Sequence, residues 1–223
     1  MAGVARVRQV IEQAKTTFKK AKGDATFQED FERLKSLMNQ LKAEDFDISP
    51  KIADRRWDYP PHVLDSPASC MEVYECPDFS VGIFFLKPRK SMPLHDHPGM
   101  HGAMKILFGS MTVTSFSKPE NHTLLRPPFV CKFVSTVRLT SSSEPCTLYP
   151  ESGNIHEIKA NDEAVAFLDI LAPPYNPNED RDCTYYTRKT TEPSPDKSEL
   201  LSPGRNPSWF SCVPMTYRGP KIS

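Results

Sequence analysis

The sequence predicts a mainly β protein, built as a sandwich or a barrel and preceded by two helices. Proline is about twice as frequent as usual, with 22 in 223 residues, which favours turns and short strands over a helical bundle. Beyond Pro50, short apolar or alternating segments are separated by turn-forming residues, a pattern typical of all-β domains. Before Pro50, apolar residues recur at helical spacing instead.

Two helices are predicted over residues 2–22 and 26–43, with Gly23 between them. Thr26 and Glu29 have the spacing of a capping box at the start of the second helix. The first segment is rich in Lys and Arg, like a mitochondrial presequence. Its apolar stripe nevertheless favours a helix that packs on the body of the protein.

Five strands are predicted beyond the helices, each bounded by turn-forming residues. They cover residues 81–86, 105–108, 111–116, 130–134 and 163–171. Residues 187–208, rich in Thr, Pro, Ser and charged side chains, are predicted to form a loop before a late strand at residues 209–213. The chain therefore divides into N-terminal helices over residues 1–48 and a β domain over residues 49–223, packed as one compact unit.

Charge and cysteine content argue against several classes of protein. The 28 basic and 28 acidic residues cancel, so no overall field attracts nucleic acid or an anionic membrane, and no apolar run is long enough to span a bilayer. Six cysteines at irregular spacing, without a CxxC pair or a signal peptide, favour free thiols in a reducing compartment. We expect a cytoplasmic monomer, with a mitochondrial location as the alternative.

The segment His95-Asp96-His97 and the distant His156 are the candidate functional residues. Side chains at i and i+2 of an extended segment point to one face, so His95 and His97 can meet over one point. His156 follows a glycine turn and precedes an apolar segment, so it can complete the site from a neighbouring strand. Three neutral imidazoles with open coordination positions are typical of a catalytic metal site. His101 remains an alternative fourth ligand.

The ligand set alone does not select the metal or the reaction. Imidazole binds Zn, Cu, Fe and Ni, so oxidative iron catalysis, hydrolytic zinc catalysis and a metal-dependent isomerase all remain open. Three neutral ligands leave the charge of the metal uncompensated. This favours an anionic substrate atom, such as a thiolate, as the next ligand.

Four segments resemble the family of 2-aminoethanethiol dioxygenases and plant cysteine oxidases. They are residues 93–102 (PLHDHPGMHG), 167–175 (FLDILAPPY), 181–186 (RDCTYY) and 217–220 (YRGP), and their order matches. The resemblance covers roughly residues 27–220 and is closer to the animal aminoethanethiol enzymes than to the plant branch.

This resemblance implies a cupin, a double-stranded β-helix or jelly roll, with Fe(II) held by His95, His97 and His156. Most cupins also have an acidic metal ligand, which has no counterpart in this sequence; the thiol dioxygenases that it resembles lack this ligand as well. The implied reaction adds both atoms of O2 to the thiol of cysteamine or of a protein N-terminal cysteine, giving a sulfinic acid, with an oxygen-sensing role through the N-degron route. Another metal-dependent cupin, such as a zinc hydrolase or isomerase, and a non-catalytic jelly-roll binding module are the alternatives.

Four further residues are candidates for the site. Asp169 can orient a ligand imidazole or attract a substrate ammonium, or else it is a strand-end residue satisfied by loop amides. Tyr175 follows a double proline and either presents its phenol to the pocket or packs at the rim. Cys183 and Tyr185 lie at i and i+2. They either crosslink to a thioether, as in some thiol dioxygenases, or form an ordinary buried pair.

Overall fold

Two α-helices and twelve strands make up the described part of the chain, which in this computed structural model comprises residues 2–19, 24–49, 65–120, 125–189 and 196–221. The helices are α1 (Ala2–Phe18) and α2 (Phe27–Met38), and short 3-10 helices lie at Ala43–Phe46 and Pro177–Glu179. The strands are β1 (Ala68–Glu75), β2 (Ser80–Leu86), β3 (Ser91–His95), β4 (His101–Phe108), β5 (Ser110–Ser117), β6 (Phe129–Thr140), β7 (Cys146–Leu148), β8 (Ile155–Ala160), β9 (Val165–Ala172), β10 (Tyr185–Arg188), β11 (Glu199–Gly204) and β12 (Cys212–Pro214).

The order of the strands in two sheets defines the fold. One sheet has the order β12-β1-β2-β9-β4-β7, and the other has the order β10-β11-β6-β5-β8-β3 and closes on itself because β10 also pairs with β3. At their centres lie β2-β9-β4-β7 and β3-β8-β5-β6, with antiparallel neighbours throughout. Eight consecutive strands that alternate in this way between two sheets form a jelly roll. The predicted fold class is therefore confirmed.

The core between the two sheets explains the sequence patterns of the strands. On β5, burial alternates, and Met111 and Val113 point inward to the cluster that holds Phe167 of the other sheet. On β9, almost every residue is buried, because Phe167 faces this core while Leu168 and Ile170 pack on the other side with the helices. A strand covered on both faces is apolar throughout.

The helices cover the outer face of the first sheet. Each buries one apolar stripe, and residues such as Ile11 of α1 and Phe31 of α2 join Ile83 of β2 in one cluster. Both helices end earlier than predicted, and residues 20–23 lie outside the described part of the chain. The predicted capping box does not form, because the Thr26 hydroxyl donates to Asp24 Oδ1 at 2.7 Å instead of capping the helix. In the described residues, no helix has both the length and the apolar character needed to cross a membrane.

The prediction of a loop at residues 187–208 is wrong in part. β11 lies within this segment and pairs with β10 on one side and with β6 on the other. Its Ser202 and Pro203 argue against a strand, but backbone pairing on both sides outweighs a weak intrinsic preference. Residues 190–195 lie outside the described part of the chain.

Candidate metal centre

Three buried imidazoles converge at one end of the second sheet. His95 ends β3 and stands opposite His156 of β8 in the strand register, while His97 follows two residues later. The centroid of the His95 ring lies 4.9 Å from that of the His97 ring and 4.6 Å from that of the His156 ring. Each ring offers one nitrogen as a ligand atom, and these three nitrogens all lie within 4.8 Å of one another. The structure thus brings together the three histidines that the sequence singles out.

The hydrogen bonds behind two of the rings fix which nitrogen carries the proton. His95 Nδ1 lies 2.9 Å from the carbonyl oxygen of Pro93, which can only accept, so this nitrogen carries the hydrogen. The Tyr175 hydroxyl donates to the carbonyl of Asp96 at 2.7 Å and therefore accepts from His97 Nδ1, also at 2.7 Å. The Nε2 atoms of His95 and His97 are therefore left with free lone pairs.

One of these lone pairs is left unsatisfied inside the protein. His97 Nε2 is buried and makes no hydrogen bond within the described residues. Buried polar atoms are almost always paired, so an orphaned acceptor that faces two further imidazoles fits a bound metal cation. The residues present therefore suit a metal held by three histidines.

Burial keeps the three rings neutral, as metal ligation requires. Desolvation lowers the pKa of His95 below its usual value. The pKa values of His97 and His156 lie well below the usual value, first because of burial and then because of repulsion from the neighbouring imidazoles. At neutral pH all three rings are uncharged and have a lone pair to offer.

Asp96, between two of the histidines, ties the site to β10. Its carboxylate accepts from Lys118 Nζ at 2.7 Å, from the Tyr186 hydroxyl at 2.8 Å and from the Thr184 amide at 2.9 Å. Sequence reasoning did not assign Asp96 a role. The alternation that sends the flanking histidines to one face also sends Asp96 to the other, and this was the available signal.

Cys183 and the two tyrosines lie next to the histidines. Burial raises the pKa of the Cys183 thiol to about 12, although the nearby phenols of Tyr175 and Tyr185 oppose this rise, so Cys183 remains a thiol. Tyr185 stands opposite His95 in the strand register, with its ring 6.3 Å from the His95 ring. The phenol of Tyr175 lies behind His97, on the outer nitrogen of the ring.

Asp169 lies in a cavity beside His156. The cavity has a volume of about 20 Å³ and opens partly to solvent. Its lining comprises Gly102, Met104, Val113, Ser115, Cys146, Thr147, Leu148, Gly153, His156 and Asp169. Burial raises the pKa of Asp169 to about 7.

The alternative that His101 acts as a fourth ligand finds no support in the structure. Its ring packs 4.8 Å from that of Phe27 and 5.9 Å from that of Tyr149, measured between centroids. These rings belong to the contact between α2 and the first sheet. The turn at Pro98 and Gly99, with Gly99 at φ +68°, separates His101 from the two earlier histidines.

Comparisons with known proteins identify relatives of this chain. The PCO_ADO family matches residues 37–222. The chain is 37% identical to the 2-aminoethanethiol dioxygenase of Homo sapiens, covering 88% of this chain and 82% of that protein. It is 29% identical to plant cysteine oxidase 1 of Arabidopsis thaliana, covering 99% of this chain and 81% of that protein. Among solved structures, the Schizosaccharomyces pombe Cnp3 cupin domain matches at 17% identity and TM-score 0.37, over 52% of this chain and 72% of that one.

Proposed function

Because the chain belongs to the PCO_ADO family of thiol dioxygenases, we propose that it is an Fe(II) enzyme that oxidises the thiol of cysteamine or of a protein N-terminal cysteine to a sulfinic acid. The observation that carries this proposal is the buried trio of His95, His97 and His156, with the unpaired Nε2 of His97 facing the other two rings. Bound ferrous iron would hold the substrate as a thiolate and allow electrons to pass from sulfur to O2. The thiol supplies all the electrons, so no external reductant is needed.

The residues around the trio have separate tasks in this proposal. The Pro93 carbonyl and the Tyr175 hydroxyl hold His95 and His97 in the tautomer that presents Nε2. Asp169, in the cavity beside His156, attracts the ammonium group of the substrate as a carboxylate. The closed barrel excludes bulk water from the buried side of the site.

The lining of the cavity supports an amine without a nearby carboxylate as the substrate. It contains the carboxyl of Asp169 but no Lys or Arg among the described residues. Free cysteine carries a carboxylate that calls for a cation, whereas cysteamine has none and an N-terminal cysteine has an amide in its place. If N-terminal cysteines are the substrate in cells, the enzyme senses oxygen by marking proteins for the N-degron route.

We further propose that the protein acts as a monomer. Light scattering after gel filtration measures its mass and tests this proposal.

The relatives favour this function over the alternatives that three histidines alone leave open. Curated relatives over most of the chain are named as dioxygenases or oxidases of thiols. Nothing in the described residues favours a zinc hydrolase, an isomerase or a non-catalytic module. Metal analysis separates these: tightly bound zinc without O2 uptake would favour a hydrolase.

The deciding experiment loads the full chain with Fe(II) without oxygen and then exposes it to O2 with cysteamine or with a peptide that begins with cysteine. We expect a gain of two oxygen atoms on sulfur, measured by mass spectrometry. His156→Ala abolishes the gain, whereas His101→Gln, a matched histidine outside the trio, retains it. Oxidation that survives in His156→Ala would contradict the proposed site.

Cys183 and Tyr185 are proposed to form a thioether during turnover. A bond joins Cys183 Sγ to a ring carbon of Tyr185, and the two hydrogen atoms that are lost reduce O2 to peroxide. The electrostatic interaction between the Cys183 thiol and the Tyr185 phenol supports this pair, but the thiol interacts with the Tyr175 phenol as well. We expect iron-loaded, O2-treated protein to lose two hydrogen masses, and Tyr185→Phe to prevent the loss. An unmodified wild type, or a crosslinked peptide that carries Tyr175, would contradict the assignment.

A further inference from the structure

Asn154 stands opposite His97 at the place where β3 and β8 stop pairing. His95 pairs with His156, so continuing the antiparallel register by two positions would set His97 against Asn154. β3 has already ended at His95, and the backbones no longer exchange hydrogen bonds here. The side chain of Asn154 replaces the missing backbone hydrogen bonds. Its Oδ1 accepts from the His97 amide at 3.0 Å, and its Nδ2 donates to the His97 carbonyl at 2.8 Å.

The primary amide of Asn154 thus reproduces the two hydrogen bonds of a strand partner. Such a substitute is needed because the chain turns away directly after His97. The amide of Met100 donates back to the His97 carbonyl at 3.0 Å, and Gly99, at φ +68°, supplies the positive φ of a type II turn after Pro98. His97 therefore lies in a turn that no strand holds in register.

Asn154 is itself held firmly enough to serve this purpose. Its side chain is 4% exposed, and Nδ2 also donates to the Tyr149 carbonyl at 3.1 Å. The preceding Gly153 has φ +65°, and its amide donates to the Ser117 hydroxyl at 3.0 Å. A buried amide costs free energy unless its polar atoms are paired, and here both the oxygen and the nitrogen are paired.

We propose that Asn154 is a positioning residue for the metal centre: it locks the backbone of His97 to the strand that carries His156. Tyr175 fixes the orientation of the His97 ring, whereas Asn154 fixes the place from which the ring projects. Together they set the distance between two ligand nitrogens before a metal binds. This inference rests on the proposed function in one respect, namely that the histidines hold a metal.

The test uses Asn154→Ala and the isosteric Asn154→Asp in the full chain. The Ala variant removes both bonds to His97. The Asp variant keeps the acceptor for the His97 amide but turns a second oxygen toward the His97 carbonyl. Asn161→Ala is the matched control, because Asn161 follows the other end of β8 and bonds Thr112 and Ser110, at 3.1 and 2.9 Å, but none of the histidines.

Co(II) serves as the probe, since its visible bands report coordination geometry and its titration gives the affinity. Thermal unfolding of the metal-free proteins is measured in parallel. We expect both Asn154 variants to bind Co(II) about 10-fold or more weakly than wild type and to shift its bands. Asn161→Ala is expected to keep the wild-type affinity and bands, even if it loses comparable thermal stability.

Three results would overturn the inference. Wild-type affinity and bands in both Asn154 variants would show that His97 needs no such support. Failure of both variants to fold, while Asn161→Ala folds, would make Asn154 a folding residue. A wild type that binds no Co(II) would remove the metal centre and this inference with it. By contrast, the protein could bind Co(II) in a way that depends on Asn154 and yet fail to oxidise thiols. This result would contradict the dioxygenase proposal but not the role of Asn154.

Discussion

One hydrogen bond per ring decides which nitrogen of His95 and His97 is free. The spacing of the histidines predicts that they meet, and they do, but it contains no information about tautomers. Those are set by the carbonyl of Pro93, two residues away, and by Tyr175, which arrives from the segment after β9. Tyr175, predicted to face the pocket or to pack at its rim, hydrogen-bonds the outer nitrogen of the His97 ring.

Asp169 is the residue whose charge should govern the pH dependence. Burial raises its pKa to about 7, whereas the unfolded chain has a value of about 3.9. The folded state therefore binds the proton more tightly, and stability is lost as the pH rises through 7. In the proposed function, the affinity for substrate changes with pH in the opposite direction, because only the carboxylate attracts an ammonium group.

Two measurements on Asp169→Asn follow from this. The variant should exceed wild type in free energy of unfolding by about 2 kcal/mol at about pH 8 and by little at about pH 4, close to the pKa of the unfolded chain. Each pKa unit is worth about 1.4 kcal/mol, and the open side of the cavity screens part of the shift. We expect the activity of wild type to rise as the pH increases through 7, and this rise should be absent in Asp169→Asn. Asp162→Asn, at an exposed turn, is the control; equal pH profiles in all three proteins would contradict this role.

Asp96 and Asn154 were missed by sequence reasoning for a common physical reason. Both act through hydrogen bonds to segments distant in the chain, such as Lys118 and Thr184 for Asp96 and His97 for Asn154. Residue type and spacing indicate which side chains can share a face. They do not indicate which backbone groups lack a partner, because that depends on where the strands stop pairing.

At the scale of elements, the apolar strands were predictable and β11 was not. β2, β5 and β9 have apolar or alternating patterns because each buries at least one face. β11 buries little beyond Leu201, and its place is fixed by backbone pairing with β10 and β6. Residue pattern also failed to predict the contact of Thr26, whose hydroxyl donates to Asp24 and does not cap α2.

Lys105, in the interior of β4, should be the strongest polar link between the helices and the barrel. It is 2% exposed, and its Nζ donates to Asn39 Oδ1 at 2.7 Å and to the carbonyls of Ser141 and Ser143 at 2.9 and 2.7 Å. Lys105→Met keeps the apolar part of the side chain but leaves these three acceptors without the hydrogen bonds from Nζ. Unpaired buried acceptors cost about 1–3 kcal/mol each, less where water can reach them.

We therefore expect Lys105→Met to lower the free energy of unfolding by about 2 kcal/mol or more in urea titrations. Lys159→Met, on the exposed side of β8, serves as the control and should change it by less than about 0.5 kcal/mol. Equal midpoints in the two variants would show that the three hydrogen bonds contribute no net stability.

At the scale of the whole molecule, the jelly roll brings three separate parts of the chain to one point. The end of β3 and the turn after it supply His95 and His97, the start of β8 supplies His156, and the segment beyond β9 supplies Tyr175. Short apolar strands and turns predict a sandwich or barrel but not the order in which strands pair. The resemblance to a known family implies a jelly roll, and the observed order of the strands has this form.

A ligand that bridges such segments should stabilise the entire fold. A metal that binds only the folded state adds about 2.7 kcal/mol when its free concentration is 100 times Kd. For a domain of this size, that corresponds to a rise in Tm of about 5–10 °C.

We expect Fe(II), added without oxygen, to raise the Tm of wild type by this amount, as measured by calorimetry. His156→Ala should abolish the rise because it removes the contribution of β8. His101→Gln, which disturbs packing against Phe27 instead, should lower the starting Tm but keep the rise. An equal rise in His156→Ala would mean that the metal binds elsewhere, and the three segments would then meet for some other reason.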